Sequence, residues 1–496
     1  MLNFAFAIAS FGNNTNYVNN ANTGGSVPPY TSWATAATNI QDAIDQCSVG
    51  DLVLVTNGVY SYGGRTNLYG GLVTNRVVIT KSVTVQAAST NPANTLIVGS
   101  PDLIVGGCFS GSVRCVYIDT NCTLAGFTLT NGYTGSNTDV RGYGGGVYMS
   151  TNSVISNCVI TSCGAYYYGG GIYALTNSVI IGCSLINNIV GATNITGIGG
   201  SGGGIYANNS VISNCTLVSN RALTGSSANP WGGGVYATLN TKIYNSQIML
   251  SSNGACMGGG GYSGSYFNCQ VISNTGNYGG GLEYPVLAQD CLIQGNTGGN
   301  GGGGFGGTYN RCKIIGNNAS QGAGGVHCGV GFGPYAYLYN CLVISNGGAA
   351  AGGGVNGVIA VNCTIAYNKT TGVASWGYPN TSTNSVLTNC IVYGNTTADF
   401  AAGSYASIYY TCATTNGANF LINVGSFTNN PKFVNAGDFH LQNGSPCIDA
   451  GINMPGVITN DLDVHPRPLD GGTGHGFKWD IGCYEYSPKG MMFKGF

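Results

Sequence analysis

Glu283 and His327 come nearest to acid–base chemistry in this chain, because a recurring pattern places both in one column. Each lies two places after a glycine-rich triplet. The successive residues there are Tyr148, Tyr173, Tyr206, Tyr236, Tyr262, Glu283, Phe305, His327 and Asn356. A general acid and base must act as a partnered pair with shifted pKa values. Two coils of strand spacing put these two roughly 10 Å apart, and paired glycosidase carboxylates need about 5 to 9.5 Å. No second carboxylate shares the column, although Asp290 lies one strand onwards. The remaining members, Tyr148, Tyr173, Tyr206, Tyr236, Tyr262 and Phe305, suggest a face for recognition or assembly. Stacked tyrosines offer flat apolar rings with a polar tip, suited to sugars or to a neighbouring subunit. The same column would equally serve as a β-favouring ladder covered by loops.

Metal chemistry has one candidate. Asp461, Asp463 and Asp470 would hold Ca²⁺ if one loop gathered them; otherwise they cap turns and pair with Arg467. No other cofactor is indicated. In the coils the acids Asp139, Glu283 and Asp290 and the bases Arg141, Arg221, Arg311, Lys242 and Lys313 are scattered.

These residues are positioned by a repeat that runs from about Gly144 to Cys412. Three copies are GGGVYMSTNSVISNCVI (144–160), GGGIYALTNSVIIGCSLINN (169–188) and GGGIYANNSVISNCTLVSN (202–220). The cysteine recurs at Cys158, Cys183, Cys215, Cys269, Cys291, Cys312, Cys341, Cys363 and Cys390; Ser246 replaces it once, and Cys122 and Cys412 are expected to extend the column. Spacings run from 21 residues (Cys291 to Cys312) to 36 (Cys122 to Cys158). Segments this short, rich in Val, Ile and Tyr and broken by Gly or Asn, are strands. Three per repeat make one coil of a β-helix, with inserted loops such as 190–201 and 220–231. Alternation sends Cys215 and Leu217 inwards, so cysteine fills a core column. Asn157, Asn214, Asn268, Asn340, Asn362 and Asn389 suit left-handed bends, and stacked amides form ladders. Inward thiols in a column cannot surround a metal ion tetrahedrally.

The expected fold is therefore all-β, a right-handed parallel β-helix (residues 33–429). Residues 1–32 form an N-terminal segment, and 430–496 a non-repeat C-terminal cap. Ala36, Ile40, Ala43, Ile44 and Cys47 recur at helical spacing and Gly50 ends the run, predicting an N-terminal capping helix. The apolar start MLNFAFAIAS (1–10) reads as a signal remnant or a strand. Glycine numbers 85 of 496 residues, and only 6% are charged against 43% hydrophobic, so a folded core is expected over disorder. A net charge of −1 gives nucleic acid no attractive field, and no apolar run is long enough for a transmembrane helix. The 19 cysteines, an odd number, leave at least one free thiol; Cys447 and Cys483 are the expected bridge in an oxidising compartment.

The unit GGG(V/I) with N-C-x-(I/L)-x-x-N resembles the GGA(I/L/V) and FxxN repeats of polymorphic outer-membrane proteins. More broadly it is similar to the pectin-lyase-like family of right-handed β-helices. The opening WATAATNIQDAIDQCSVGDLVLVTNGVY (33–60) is similar to the start of many such proteins. The endings DFHLQNGSPCIDAG, DLDVHPRPLDGG and WDIGCYEY resemble bacterial surface β-helix proteins. The resemblance implies an extracellular or cell-surface location and a structural or adhesive function, with self-assembly into fibres as one form. The alternative it implies is a polysaccharide lyase or hydrolase, or a non-catalytic carbohydrate-binding β-helix. The expected partners are extracellular glycan or further copies of the chain.

Overall fold

The computed structural model describes residues 14–66, 73–104, 106–136, 140–191, 200–223, 230–253, 257–328, 336–348, 352–375, 384–414, 418–454, 459–474 and 476–488. The apolar start 1–10, Asp139 and most of the loops 190–201 and 220–231 lie outside these residues. Two compact units divide the chain: Met1–Gln247 with Ser251–Gly254, and Ile248–Leu250 with Ala255–Phe496.

Each unit is a stack of right-handed parallel β-coils. A coil places one strand in each of three long sheets, and eight coils among the described residues add a fourth short strand, such as Gly164–Ala165 and Ile189–Val190, that the three-strand repeat did not predict. Sheet 1 follows the glycine triplet, sheet 2 carries the apolar pair, and sheet 3 follows Asn-Cys. The register is residue over residue. In the first unit Ile172, Tyr173 and Ala174 pair with Ile205, Tyr206 and Ala207. In the second, Leu292, Ile293 and Gln294 pair with Lys313, Ile314 and Ile315.

The residue types follow from the corners. Asn157, Asn214, Asn268, Asn340, Asn362 and Asn389 all have φ between 49 and 52°, the left-handed bend that Asn tolerates. The closing asparagines do something different. They point inwards and form an amide ladder, in which each Nδ2 donates to the Oδ1 of the next coil. In the second unit it runs from Asn274 through Asn296, Asn317, Asn346 and Asn368 to Asn395, with links of 2.9 to 3.1 Å. Asp399 accepts the last amide at 2.9 Å. In the triplet 202–204, Gly202 has φ 71°, while Gly204 has a carbonyl of the next coil 2.7 Å from where a Cβ would sit.

The cysteine column is buried, and its thiols also donate. Cys215 Sγ reaches Ser213 O at 3.3 Å and Ile180 O of the previous coil at 3.6 Å. Ser246 fills the slot because its hydroxyl makes the same corner bond, to Tyr244 O at 2.8 Å. The column ends differently from expectation. Thr128 pairs with Val159, so Phe127 stands over Cys158, and Cys122 heads another corner column above Ser153. At the other end Ile391 pairs with Cys412, which leaves Thr411 in the slot.

The helix spans Ile40–Gln46, capped by Asn39, whose side chain accepts from Asp42 N at 2.8 Å. Its Gln41 side chain pairs with the backbone of Val78, donating to O at 3.1 Å and accepting from N at 2.8 Å. An otherwise open strand edge is thereby satisfied. The C-terminal segment is not an end cap. It packs along the outer flank of sheet 3 in the second unit. Phe439, Leu462, Cys483 and Tyr484 cover Leu342 and Ala366; Leu441, Cys447, Ile448 and Ile481 cover Ile391 and Cys412. Cys447 and Cys483 thus sit in separate clusters without a bridge, and all eighteen described cysteines are free and buried.

Candidate functional site

In the first unit the parallel register turns one residue position into a stack of rings. Tyr117, Tyr148, Tyr173, Tyr206 and Tyr236 pair in succession along sheet 1. Their centroids are 5.3, 5.2, 5.0 and 4.7 Å apart, with interplanar angles of 8 to 26°. Stacking uses the ring faces inside the ladder, so a ligand meets edges and hydroxyls and not the flat faces expected. Tyr148 and Tyr173 are themselves buried, which corrects their assignment to a recognition face; Tyr206 and Tyr236 are half-buried.

A second aromatic layer explains that burial. Tyr143 lies 4.8 Å from Tyr173, Tyr168 lies 4.6 Å from Tyr206, Tyr167 lies 4.3 Å from Tyr168, and Trp231 lies 5.9 Å from Tyr236. These four are half-buried and form the accessible part of the cluster. The sequence carried a signal for three of them: Tyr143, Tyr168 and Trp231 each stand immediately before a triplet. At the head of the ladder Arg114 occupies the place of a triplet glycine. Its guanidinium donates to Gly144 O, Asn75 Oδ1 and Tyr143 O at 2.7 to 2.9 Å and lies 5.5 Å from the Tyr148 ring centroid. Burial pushes the Tyr206 hydroxyl up to about 12, helped by the neighbouring tyrosines, and raises Tyr236 as well. Tyr206 and Tyr236 therefore stay protonated at neutral pH and offer apolar edges and hydroxyl hydrogen bonds.

In the second unit the same position changes character. Tyr262, Glu283, Phe305, His327 and Asn356 pair in succession. Tyr262 is half-buried, but Glu283 and Phe305 are each 1% exposed and His327 is 4% exposed. Phe305 was expected on a contact face and is instead enclosed, edge-on to Tyr278 at 5.2 Å and to Tyr284 at 5.6 Å. Phe305 also stands between Glu283 and His327, with its centroid 5.5 Å from the imidazole. Burial pushes the Glu283 carboxyl up to about 9 and the His327 imidazole down to about 4, so both are uncharged at pH 7. Asp290 is engaged elsewhere, accepting from Arg311 Nε at 2.7 Å and Nη2 at 2.8 Å.

The three aspartates considered for calcium each have hydrogen-bond partners of their own. Asp461 is buried and accepts from the backbone N–H groups of Asp463, His465 and Glu485 at 2.7 to 2.9 Å. Asp463 bonds His440 Nε2 at 2.7 Å, and Asp470 accepts from Gly472 N at 2.9 Å. Arg467 pairs with none of them. Its partner is Glu485, at 2.6 Å, and both side chains are fully buried. Among the described residues no three His, Cys, Asp or Glu side chains gather as a metal-holding group.

No helix among the described residues is long and apolar enough to cross a membrane. A scan against protein-family models finds no match, and a search of curated proteins finds none. Among solved structures the chain is similar to pectate lyase Pel9A, at 13% identity over 96% of this chain and 97% of that one, with a TM-score of 0.37. It is also similar to the A-module of the Azotobacter vinelandii mannuronan C-5 epimerase AlgE4, at 14% identity over 84% and 100%, with a TM-score of 0.39. At such identities the parallel β-helix assignment rests on the chain's own strand register.

Proposed function

We propose that this is a secreted or cell-surface β-helix protein that works by contact, as a structural or adhesive scaffold towards extracellular glycan or further copies of itself. The observation that carries this reading is the two-layer aromatic cluster of the first unit. Its half-buried rim of Tyr143, Tyr167, Tyr168, Tyr206, Tyr236 and Trp231 presents apolar edges with polar tips, the composition enriched at binding surfaces. A chain with 6% charged residues and a net charge of −1 has little repulsion to keep copies apart. In the second unit the strand Asn419–Val424 leaves Leu421, Ile422 and Val424 40 to 47% exposed, an uncharged edge of the kind that adds a further strand.

A lyase or hydrolase reading has less support. Its best pair, Glu283 and His327, is enclosed, uncharged and divided by Phe305. The test is binding to an array of neutral and acidic glycans, together with light scattering over a concentration series. Wild type is compared with the Tyr206→Ser/Tyr236→Ser double variant. The contact reading predicts glycan binding or concentration-dependent assembly that the variant loses by on the order of tenfold, about 1.4 kcal/mol. A monomer that binds no glycan, or a variant that behaves as wild type, contradicts it.

A further inference from the structure

In the first unit a cavity of about 550 Å³ opens beside the N-terminal helix. Its lining comes from the start of the helix Ile40–Gln46, from the strand Gly58–Tyr60 with the turn that follows it, and from the strand Thr74–Ile79. That volume falls in the range of roughly 300–1,000 Å³ that small ligands occupy. The rim is open to solvent, with Tyr62 89% and Val59 52% exposed and Asn20, Asp42 and Arg65 exposed beside them. Two guanidinium groups line the cavity and are provided for differently. Arg65 is paired with Asp45, at 2.7 Å through Nη1 and 2.5 Å through Nη2. Arg76 is half-buried and has no carboxylate partner among the described residues.

The bonds that Arg76 makes within the fold do not call for a charge. Its Nε donates to Val98 O at 2.8 Å and its Nη1 to Gly63 O. A neutral amide serves the same purpose next door, where Asn75 Nδ2 donates to Arg65 O and Val73 O, both at 3.2 Å. Arg114 engages Nε, Nη1 and Nη2 alike, on Gly144 O, Asn75 Oδ1 and Tyr143 O. Arg76 keeps Nη2 without a partner among the described residues. Burial pushes its guanidinium below the usual arginine range, and the field of Asp42 falls on Arg65 and not on Arg76. A half-buried cation with no internal anion to offset its lost hydration is ready for an external one. Ser61, Asp42, Tyr62 and Val59 line the same cavity, adding a hydroxyl, an acceptor and an apolar wall.

We propose that this cavity binds an acidic sugar residue, its carboxylate or sulfate group on Arg76, its hydroxyls on Ser61 and Asp42, and its ring face against Tyr62. A neutral sugar would leave the guanidinium unpaired, and a charge-assisted hydrogen bond to an oxyanion is about twice as strong as a neutral one. An inorganic anion would pair with Arg76 but leave the aromatic wall and most of the volume unused. An acidic peptide brings the anion without a set of hydroxyl groups for Ser61 and Asp42. With a net charge of −1 the chain exerts no long-range pull on anions, so the selectivity is local to Arg76. The site shares no residue with the aromatic cluster and stands whether or not that cluster binds.

The test is titration calorimetry on the full chain with cellobiose, cellobiouronate, a sulfated cellobiose, inorganic sulfate and an acidic tripeptide. At least one of the two acidic disaccharides is expected to bind at least ~10-fold more tightly than cellobiose, sulfate or the peptide, and the tighter of the two names the anionic group. Arg76→Gln is expected to lose at least ~10-fold for that disaccharide, and Arg76→Lys to lose less. Tyr62→Ala, at an exposed position that leaves folding intact, is expected to weaken the disaccharide and leave inorganic sulfate unchanged; it carries the test alone if Arg76→Gln does not fold. The Tyr206→Ser/Tyr236→Ser protein is expected to bind the acidic disaccharide as wild type does, so failure at the aromatic cluster and failure here are read separately. Sulfate, cellobiose or the peptide binding as well as either acidic disaccharide overturns the inference. So does the absence of any binding, an affinity within twofold of wild type in both Arg76→Gln and Tyr62→Ala, or a loss confined to the double tyrosine variant.

Discussion

Asn317 uses every hydrogen-bonding atom of its side chain. Nδ2 donates to Ile293 O at 2.9 Å and Asn346 Oδ1 at 3.0 Å, while Oδ1 accepts from Asn296 N and Nδ2, both at 2.9 Å. Asn317→Ala leaves buried partners unpaired on both adjacent coils. It is expected to cost about 2–4 kcal/mol in chemical denaturation, more than a typical single hydrogen bond. Glu283 supplies a pH signature. Its carboxyl ionises near 4.5 when unfolded and near 9 when folded, so the folded state binds more protons between those values. Its contribution is fully present below about pH 4.5 and is lost as pH rises towards 9. His327 acts in the opposite sense, its contribution being present above 6.5 and lost as pH falls through about 4. From pH 6.5 to 9 the opposing His327 contribution is constant, and the part of the slope that Glu283→Gln removes belongs to Glu283. Wild-type melting temperature is therefore expected to fall across that window by the equivalent of a few kcal/mol, and Glu283→Gln is expected to flatten the fall. An equal slope in both proteins would contradict the burial of a protonated acid. The asparagine positions were legible in the sequence because they recur at fixed places. The enclosure of Phe305 was not, because it depends on Tyr278 and Tyr284 of the neighbouring coil.

At the scale of the strand, the core is filled by exchanging large for small across the coil. Sheet 2 sends Tyr266 and Tyr309 inwards, both 0% exposed. Opposite them, sheet 1 has Gly261 and Gly304 in the slot that Val or Ile fills elsewhere, and a Cβ on either would overlap the facing tyrosine hydroxyl. The coil between them, with Ala288 in sheet 2 and Leu282 in sheet 1, reverses the sizes. Gly304→Val is thus expected to destabilise by about 2–3 kcal/mol through overpacking. Tyr309→Ala in the same chain should recover at least ~1 kcal/mol relative to additivity. Additive costs in thermal unfolding would show that the two residues do not compete for one space. The coils, the helix at Ile40–Gln46 and the inward cysteines were all predictable from spacing. The flank position of the C-terminal segment was not. It is set by the apolar outer residues Leu342, Ile391 and Cys412, which the repeat pattern alone reads as ordinary strand positions.

At the scale of the whole molecule, composition narrows function by what it leaves the surface to do. Sixteen acids and fifteen basic residues in 496 give no field to attract a polyanion or a membrane, and they leave contact mostly to rings, hydroxyls and strand edges. One sequence position carries a tyrosine ladder in one unit and an enclosed polar set in the other, and both exist only because equivalent residues stack in register. The thiols report on that register most directly. Burial holds Cys291, Cys312, Cys341 and Cys363 well above the usual thiol range, with no access to solvent. Native protein treated with iodoacetamide at pH 8 and mapped by mass spectrometry should leave the nine column cysteines, from Cys158 to Cys390, unmodified until denaturant is added. Rapid labelling of several of them in the folded protein would show that the coils do not stack residue over residue, and would remove the basis for the stacked tyrosine cluster.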